Sequence, residues 1–155
     1  MHSRIKVNLI VAVQSQLKNS QCETFDGDLR LLIESSGIMT YPDLSIFCDP
    51  PIQAKKLKHT FLNPTVLIEV LSPSTERYDR GKKFAQYRTI PSLKEYILVA
   101  QDEYAIDHFR RIASDEWALT SIRGKDETLT IASAVISIPL IEIYARVSFE
   151  EADLD

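Results

Sequence analysis

The run Val66-Leu67-Ile68-Glu69-Val70-Leu71 decides how this chain folds. With Thr65 it is β-branched and apolar almost throughout, as a strand covered on both faces would be. One acid stands in its middle. An ionised Glu69 in such a strand costs free energy unless a metal or another cation offsets its desolvation. A half-exposed strand face is the alternative reading of that residue. A second acid, Asp43, stands in the largely apolar stretch Tyr41-Pro42-Asp43-Leu44-Ser45-Ile46-Phe47. Tyr41–Cys48 reads as a strand, with Pro42 tolerable near its start. Here the alternative is an aspartate that merely opens the strand beside a proline. If the two strands are neighbours, both carboxylates can meet at one hard cation. Mg²⁺ favours such a place, with few carboxylates, several waters and substrate phosphate.

Outward from this pair, Ser3–Lys18 reads as a helix, because Ile5, Leu9, Ala12, Val13 and Gln16–Leu17 fall roughly at helical spacing. Asp26-Gly27 is a turn pair, which predicts a hairpin of Glu23–Phe25 with Leu29–Glu34. Tyr78–Arg88 reads as a helix that Pro91 closes. Lys94–Ala100, Tyr104–Arg110, Glu116–Ile122 and Thr128–Ile131 read as later strands, and Leu140–Arg146 as a short final helix after Pro139. Helix, strands, helix, strands and short helix predict an α/β (α+β) domain, a mixed central sheet flanked by helices.

Composition sets the bounds. The chain has 155 residues, 45% apolar and 26% charged, with net charge −4. A chain of this length buries roughly 70% of its unfolded surface and needs no staple. Residues 1–149 are expected to form one domain, and the acidic end Glu150–Asp155 to be disordered. Cys22 and Cys48 make neither a disulfide framework nor a zinc motif, so both are expected to be reduced. No stretch is long enough to span a bilayer and no secretory leader stands at the start, so the expected location is cytoplasmic. No glycine-rich phosphate loop or nucleophile elbow is present. The acidic balance does not exclude DNA, because a local groove can be basic. Lys55-Lys56-Lys58 beside His59 could touch a phosphate backbone, but a solvated loop explains it as well.

Pro42-Asp43, then Ile68-Glu69-Val70-Leu71-Ser72-Pro73-Ser74-Thr75, then Tyr78-Asp79-Arg80-Gly81-Lys82-Lys83 and Tyr87, resembles the Uma-two family of endonucleases, in the PD-(D/E)XK nuclease superfamily. Pro91–Val99 resembles it too. The likeness is strong over residues 41–99 and looser elsewhere. It implies a restriction-endonuclease-like fold in which Asp43, Glu69 and the Val70 carbonyl hold Mg²⁺ or Mn²⁺. In the superfamily's short motif a lysine stands two residues after the glutamate, where this chain has Leu71. Lys83, on the following helix, is the expected replacement, with Tyr87 one turn on and on the same face. Lys82 should face solvent. Ser72, Tyr87 and His2 are expected substrate contacts. His2 stands where the family carries a histidine at the start of its first helix. Asp79 could be a helix cap instead, and Glu95 an ordinary strand-surface residue.

The function implied is a Mg²⁺-dependent DNA endonuclease that hydrolyses phosphodiester bonds. Cutting both strands of a duplex often needs two active sites, which makes a homodimer a candidate state. The family usually carries more chain, with an acidic residue and a short hairpin, before the first helix. That difference and Leu71 are grounds for a second reading, an inactive nuclease-like module that binds nucleic acid or protein.

Overall fold

The computed structural model describes residues 1–149; the expected disordered tail, 150–155, lies outside the described residues. Chain order begins with helix α1 (His2–Leu17) and strands β1 (Glu23–Phe25), β2 (Arg30–Ile33), β3 (Ile38–Thr40), β4 (Leu44–Phe47), β5 (Thr60–Phe61) and β6 (Val66–Val70). Helix α2 follows as three joined segments, α-helical Glu76–Tyr78, π-helical Asp79–Lys83 and α-helical Phe84–Tyr87. Then come β7 (Glu95–Val99), β8 (Ala105–Ala113), β9 (Glu116–Arg123), β10 (Thr128–Ile131), β11 (Ile136–Pro139) and helix α3 (Leu140–Ile143).

The central sheet has six strands in the order β1-β4-β6-β7-β8-β9. It is mixed: β6 and β7 run parallel, joined through α2, and every other neighbour is antiparallel. Parallel neighbours need a crossover, and α2 supplies it. All five residues of β6 and all five of β7 are buried, as their apolar composition requires.

Alternation along the central strands sends side chains to two layers. Ile46, Val66, Ile68, Val70, Ile97 and Val99 join a core with Ile5, Leu9 and Val13 of α1 and with β10, β11 and α3. Phe47, Leu67, Tyr96 and Leu98 join a second core with Tyr87 of α2 and Leu31 and Ile33 of β2. Glu69 has the parity of Leu67 and faces the α2 layer. Helix α1 is also tied to the far end of the chain. Asn8 Nδ2 donates to the carbonyls of Ile143 and Ala145, each at 2.9 Å, and Gln16 exchanges two hydrogen bonds with the Ser137 backbone.

Two expectations are corrected. The predicted hairpin of Glu23–Phe25 with Leu29–Glu34 does not form: β1 pairs with β4, and β2 pairs with β3 and β5. The Asp26-Gly27-Asp28 turn exists, with Asp28 N–H donating to Asp26 Oδ1, but it redirects the chain to a separate three-stranded sheet. Cys22 and Cys48, expected to be free thiols, form a disulfide. Pairing Glu23 with Phe47 makes these cysteines the next facing couple of the β1–β4 ladder, with Cα atoms 3.9 Å apart. Among the described residues no helix is long and apolar enough to cross a membrane.

Candidate active site

Asp43 lies just before β4, and β4 is the antiparallel neighbour of β6, with Leu44 opposite Ile68. The ladder stops there, so Val70 has no β4 residue to pair with. Asp43 replaces that partner: its Oδ2 accepts a hydrogen bond from Val70 N–H at 2.8 Å. The Asp43 N–H in turn donates to Glu69 Oε2 at 3.3 Å. The two acids read from the sequence thus meet through reciprocal backbone contacts where the β4–β6 ladder ends.

Helix α2 supplies the opposite wall. Lys83 Nζ lies 2.8 Å from Glu69 Oε1 and 3.3 Å from Asp79 Oδ1. The Tyr87 hydroxyl donates to Glu69 Oε1 at 3.1 Å and meets Thr40 Oγ1 at 3.1 Å. Asp79, Lys83 and Tyr87 stand four residues apart and line one side of α2. Lys82 is exposed, as expected. The Lys83 ammonium is 5.8 Å from the centre of the Tyr87 ring and 6.0 Å from that of Tyr78, within reach of the ring faces.

Helix α1 closes the third side. His2 Nε2 lies 3.0 Å from the Val70 carbonyl oxygen and 3.5 Å from Asp43 Oδ2. Lys6, one turn on, brings Nζ to 3.4 Å from Asp43 Oδ1. A Cβ on Gly27 would stand 3.3 Å from that ammonium, so the bare glycine leaves Lys6 its room.

The electrostatics follow from burial. Burial pushes the Glu69 carboxyl up to about 7, against the pull of Lys83. Burial acts downward on Lys83, but the Glu69 carboxylate and then Asp79 outweigh it, so the ammonium is held above its ordinary range. Burial beside Glu69 drives the Tyr87 hydroxyl far above its ordinary value, so it serves as a donor. The site is therefore a buried carboxylate paired with Lys83, beside a partly buried second carboxylate paired with Lys6; among the described residues no cluster of three or more His, Cys, Asp or Glu side chains is arranged to hold a metal ion.

Asp43, Glu69, Lys83, the Val70 carbonyl and His2 come together here. Tyr87 joins them, but it is fully buried and touches the Glu69 carboxylate, so it is not placed to contact substrate. Ser72, just past the end of β6, is partly buried; its hydroxyl meets those of Ser74 and Thr75 in a small turn. Asp79 is no helix cap: it is buried within α2 and pairs with Lys83. Glu95 is no surface residue either, being buried against His108 and Ser133 on a different part of the sheet. Lys55, Lys56 and Lys58 lie in an exposed loop. Sequence reasoning missed Lys6 and Thr40. Lys6 had a signal, its place four residues after His2; Thr40 had none.

Comparison with known proteins gives a consistent picture. The sequence model of the Uma2 family, described as "Putative restriction endonuclease", matches residues 1–140. Two uncharacterized proteins of Synechocystis sp. are each 34% identical to this chain, one over 81% of it and 71% of its own length, the other over 96% and 76%. The crystal structure of "a putative nuclease belonging to DUF820" from Anabaena variabilis has the same fold, with TM-score 0.76 over 95% of this chain and 82% of that one, at 18% identity. The fold is the mixed α/β architecture that the sequence predicts, and the chain belongs to the Uma2 family.

Proposed function

We propose that this chain is a metal-dependent endonuclease that hydrolyses phosphodiester bonds in DNA. The observation that carries the reading is the meeting of Asp43, Glu69 and Lys83 at one point: Asp43 N–H is 3.3 Å from Glu69 Oε2 and Lys83 Nζ 2.8 Å from Glu69 Oε1. Asp43, Glu69 and the Val70 carbonyl would hold Mg²⁺ or Mn²⁺. The donors are all oxygens, the class that Mg²⁺ and Mn²⁺ take, and an ion there would share Glu69 with Lys83. When bound, such an ion lowers the pKa of its water and neutralises phosphate charge.

The protein's own residues supply the rest. Tyr87 and the Asp43 N–H fix the Glu69 carboxylate from two sides. Lys83, replacing the lysine that Leu71 displaces, brings a cation to the site and stabilises charge gathering on the attacked phosphate. Asp79 and the Tyr87 ring hold its stem in place. Ser72 is available to a phosphate oxygen. Cutting both strands of a duplex often needs two active sites, so a homodimer fits the reading.

Incubation of supercoiled plasmid with the protein and Mn²⁺ or Mg²⁺ tests the reading. Nicking that chelation abolishes supports it. A second reading, an inactive module, is favoured by one observation: the Lys83 ammonium is already committed to Glu69 and Asp79. Absence of cutting with either metal on duplex and single-stranded DNA, together with retained DNA binding, would establish that second reading.

A further inference from the structure

We infer, on the reading that DNA is the substrate, that the cavity between the start of α2 and the β7–β8 turn takes one unpaired cytosine base of the bound strand. Residues 71–73, which follow β6, and residues 100–103, which follow β7, line this cavity together with Glu76, Arg80, Asp107 and Arg123. Strands β6 and β7 are parallel and joined through α2. The crevice beyond the C-terminal ends of such strands is where α/β sheets bind ligands.

Charge and size select the ligand. Four carboxylates, those of Glu76, Asp102, Glu103 and Asp107, stand against the two guanidiniums of Arg80 and Arg123. A phosphate would meet net negative charge, and a bare cation would meet the guanidiniums. A neutral ligand with both donor and acceptor edges meets neither obstacle. The cavity volume is about 150 Å³, which is room for one benzene-sized ring. A pyrimidine fits that space; a purine carries a second ring. A base still paired in a duplex cannot enter, so the base is single-stranded or flipped out.

The hydrogen bonds distinguish one pyrimidine from another. Buried Asp107 holds both guanidiniums: Arg80 Nη1 pairs with its Oδ2, and Arg123 Nη2 lies 3.0 Å from its Oδ1. Arg80 Nε goes to Glu76 at 3.0 Å, and Arg123 Nη1 to the carbonyls of Ile106 and Ile122. Each guanidinium has five N–H donors. Among the described residues Arg80 Nη2 and Arg123 Nε have no partner. Donors fixed in this way suit the adjacent N3 and O2 acceptors of cytosine, while a carboxylate accepts from its N4 amine. Thymine and uracil carry a donor at N3 and an acceptor at O4, which reverses both contacts. The cavity is also within reach of the reaction. Ser72 stands two residues past Val70, at most about 7 Å of chain from the candidate site. Successive bases of a strand are about 3.4 Å apart.

The Arg80–Asp107–Arg123 group has a competing meaning, a brace between α2 and the β8–β9 pair. A brace treats all bases alike. The test is fluorescence anisotropy with labelled single strands of oligodeoxyadenylate whose central base is adenine, cytosine, uracil or guanine, at one salt concentration and with Ca²⁺ in place of Mg²⁺. The expected result is that the cytosine strand binds about 10-fold tighter than the other three, within the range of one good bidentate base contact. The cytosine–uracil comparison uses the wild type alone and needs no variant to fold. Arg123→Met, at a half-exposed position at the end of β9, should erase the preference and leave the adenine strand bound as before. Equal binding of the four strands overturns the inference, as does a preference for uracil or guanine, or one that Arg123→Met keeps. If plasmid is nicked but no base is preferred, the nuclease reading stands and the cytosine site falls. If cytosine is preferred but Mn²⁺ and Mg²⁺ support no cutting, the cytosine site stands and the nuclease reading falls. If no strand binds, both fall.

Discussion

Replacing Glu69 with glutamine should remove a pH dependence from the stability of the metal-free protein. Burial lifts the Glu69 carboxyl from an ordinary 4.5 to about 7. Between those values the unfolded chain has released this proton and the folded chain still holds it. The folded state then binds more protons, so stability falls as pH rises through the window. Each pH unit is worth about 1.4 kcal/mol, so the loss reaches about 3 kcal/mol near pH 7 and stays there above it. Below pH 4.5 both states are protonated and the contribution vanishes. Lys83 is held above its ordinary range and titrates outside this window. Glutamine has no proton to release. Its amide must turn one N–H₂ toward either Asp43 N–H or the Lys83–Tyr87 pair, which adds an offset that does not vary with pH. The quantity to read is therefore the change in the gap between variant and wild type. Urea unfolding in chelator at pH 5, 6, 7 and 8 should show Glu69→Gln gaining on the wild type by about 2.5 kcal/mol across the series, most of the value that the raised carboxyl carries. Parallel curves would refute the claim that burial controls this carboxyl.

Other predictions follow from neighbouring contacts. Lys83→Ala should lower plasmid nicking roughly 100-fold, as loss of one transition-state donor does, with Mn²⁺ affinity little changed, while Lys82→Ala should cut as wild type; normal cutting by Lys83→Ala would refute the relocated lysine. Tyr87→Phe strips the donor from Glu69 Oε1 and the partner from Thr40, so chemical denaturation should show a loss of about 1–2 kcal/mol. Reducing the Cys22–Cys48 bridge, whose cysteines are 26 residues apart, should destabilise the fold by about 3 kcal/mol on the chain-entropy account. Melting curves with and without reductant will measure it, and coincident curves would mean that the bridge adds nothing.

The parts of the fold that were legible in the sequence are those whose pattern is local. Strand β6 announces itself by its apolar β-branched run, and α1 by Ile5, Leu9 and Val13. The β2–β3 hairpin went unread because its turn, Glu34-Ser35-Ser36-Gly37, was less conspicuous than Asp26-Gly27. Gly37 is the residue that permits it, at φ 76°. The disulfide went unread because a residue count cannot see that β1 lies beside β4. At the site, Asp43 and Glu69 were legible as acids in apolar strands, and Lys83 through family spacing. The burial of Tyr87 and the approach of Lys6 depend on how α2 and α1 pack, and packing leaves no mark at single positions.

The anchoring of α1 has a consequence for the order in which this protein is made. His2 and Lys6 are synthesised long before the groups that hold their helix, the carbonyls of Ile143 and Ala145 and the backbone of Ser137. Domains form as units during synthesis, at a few residues per second to some tens. As α1 shares one core with β4, β6 and β11, the site waits several seconds after α1 is made for these C-terminal tethers. A chain stalled before residue 137 would therefore lack the tethers that seat His2 and Lys6 beside Asp43.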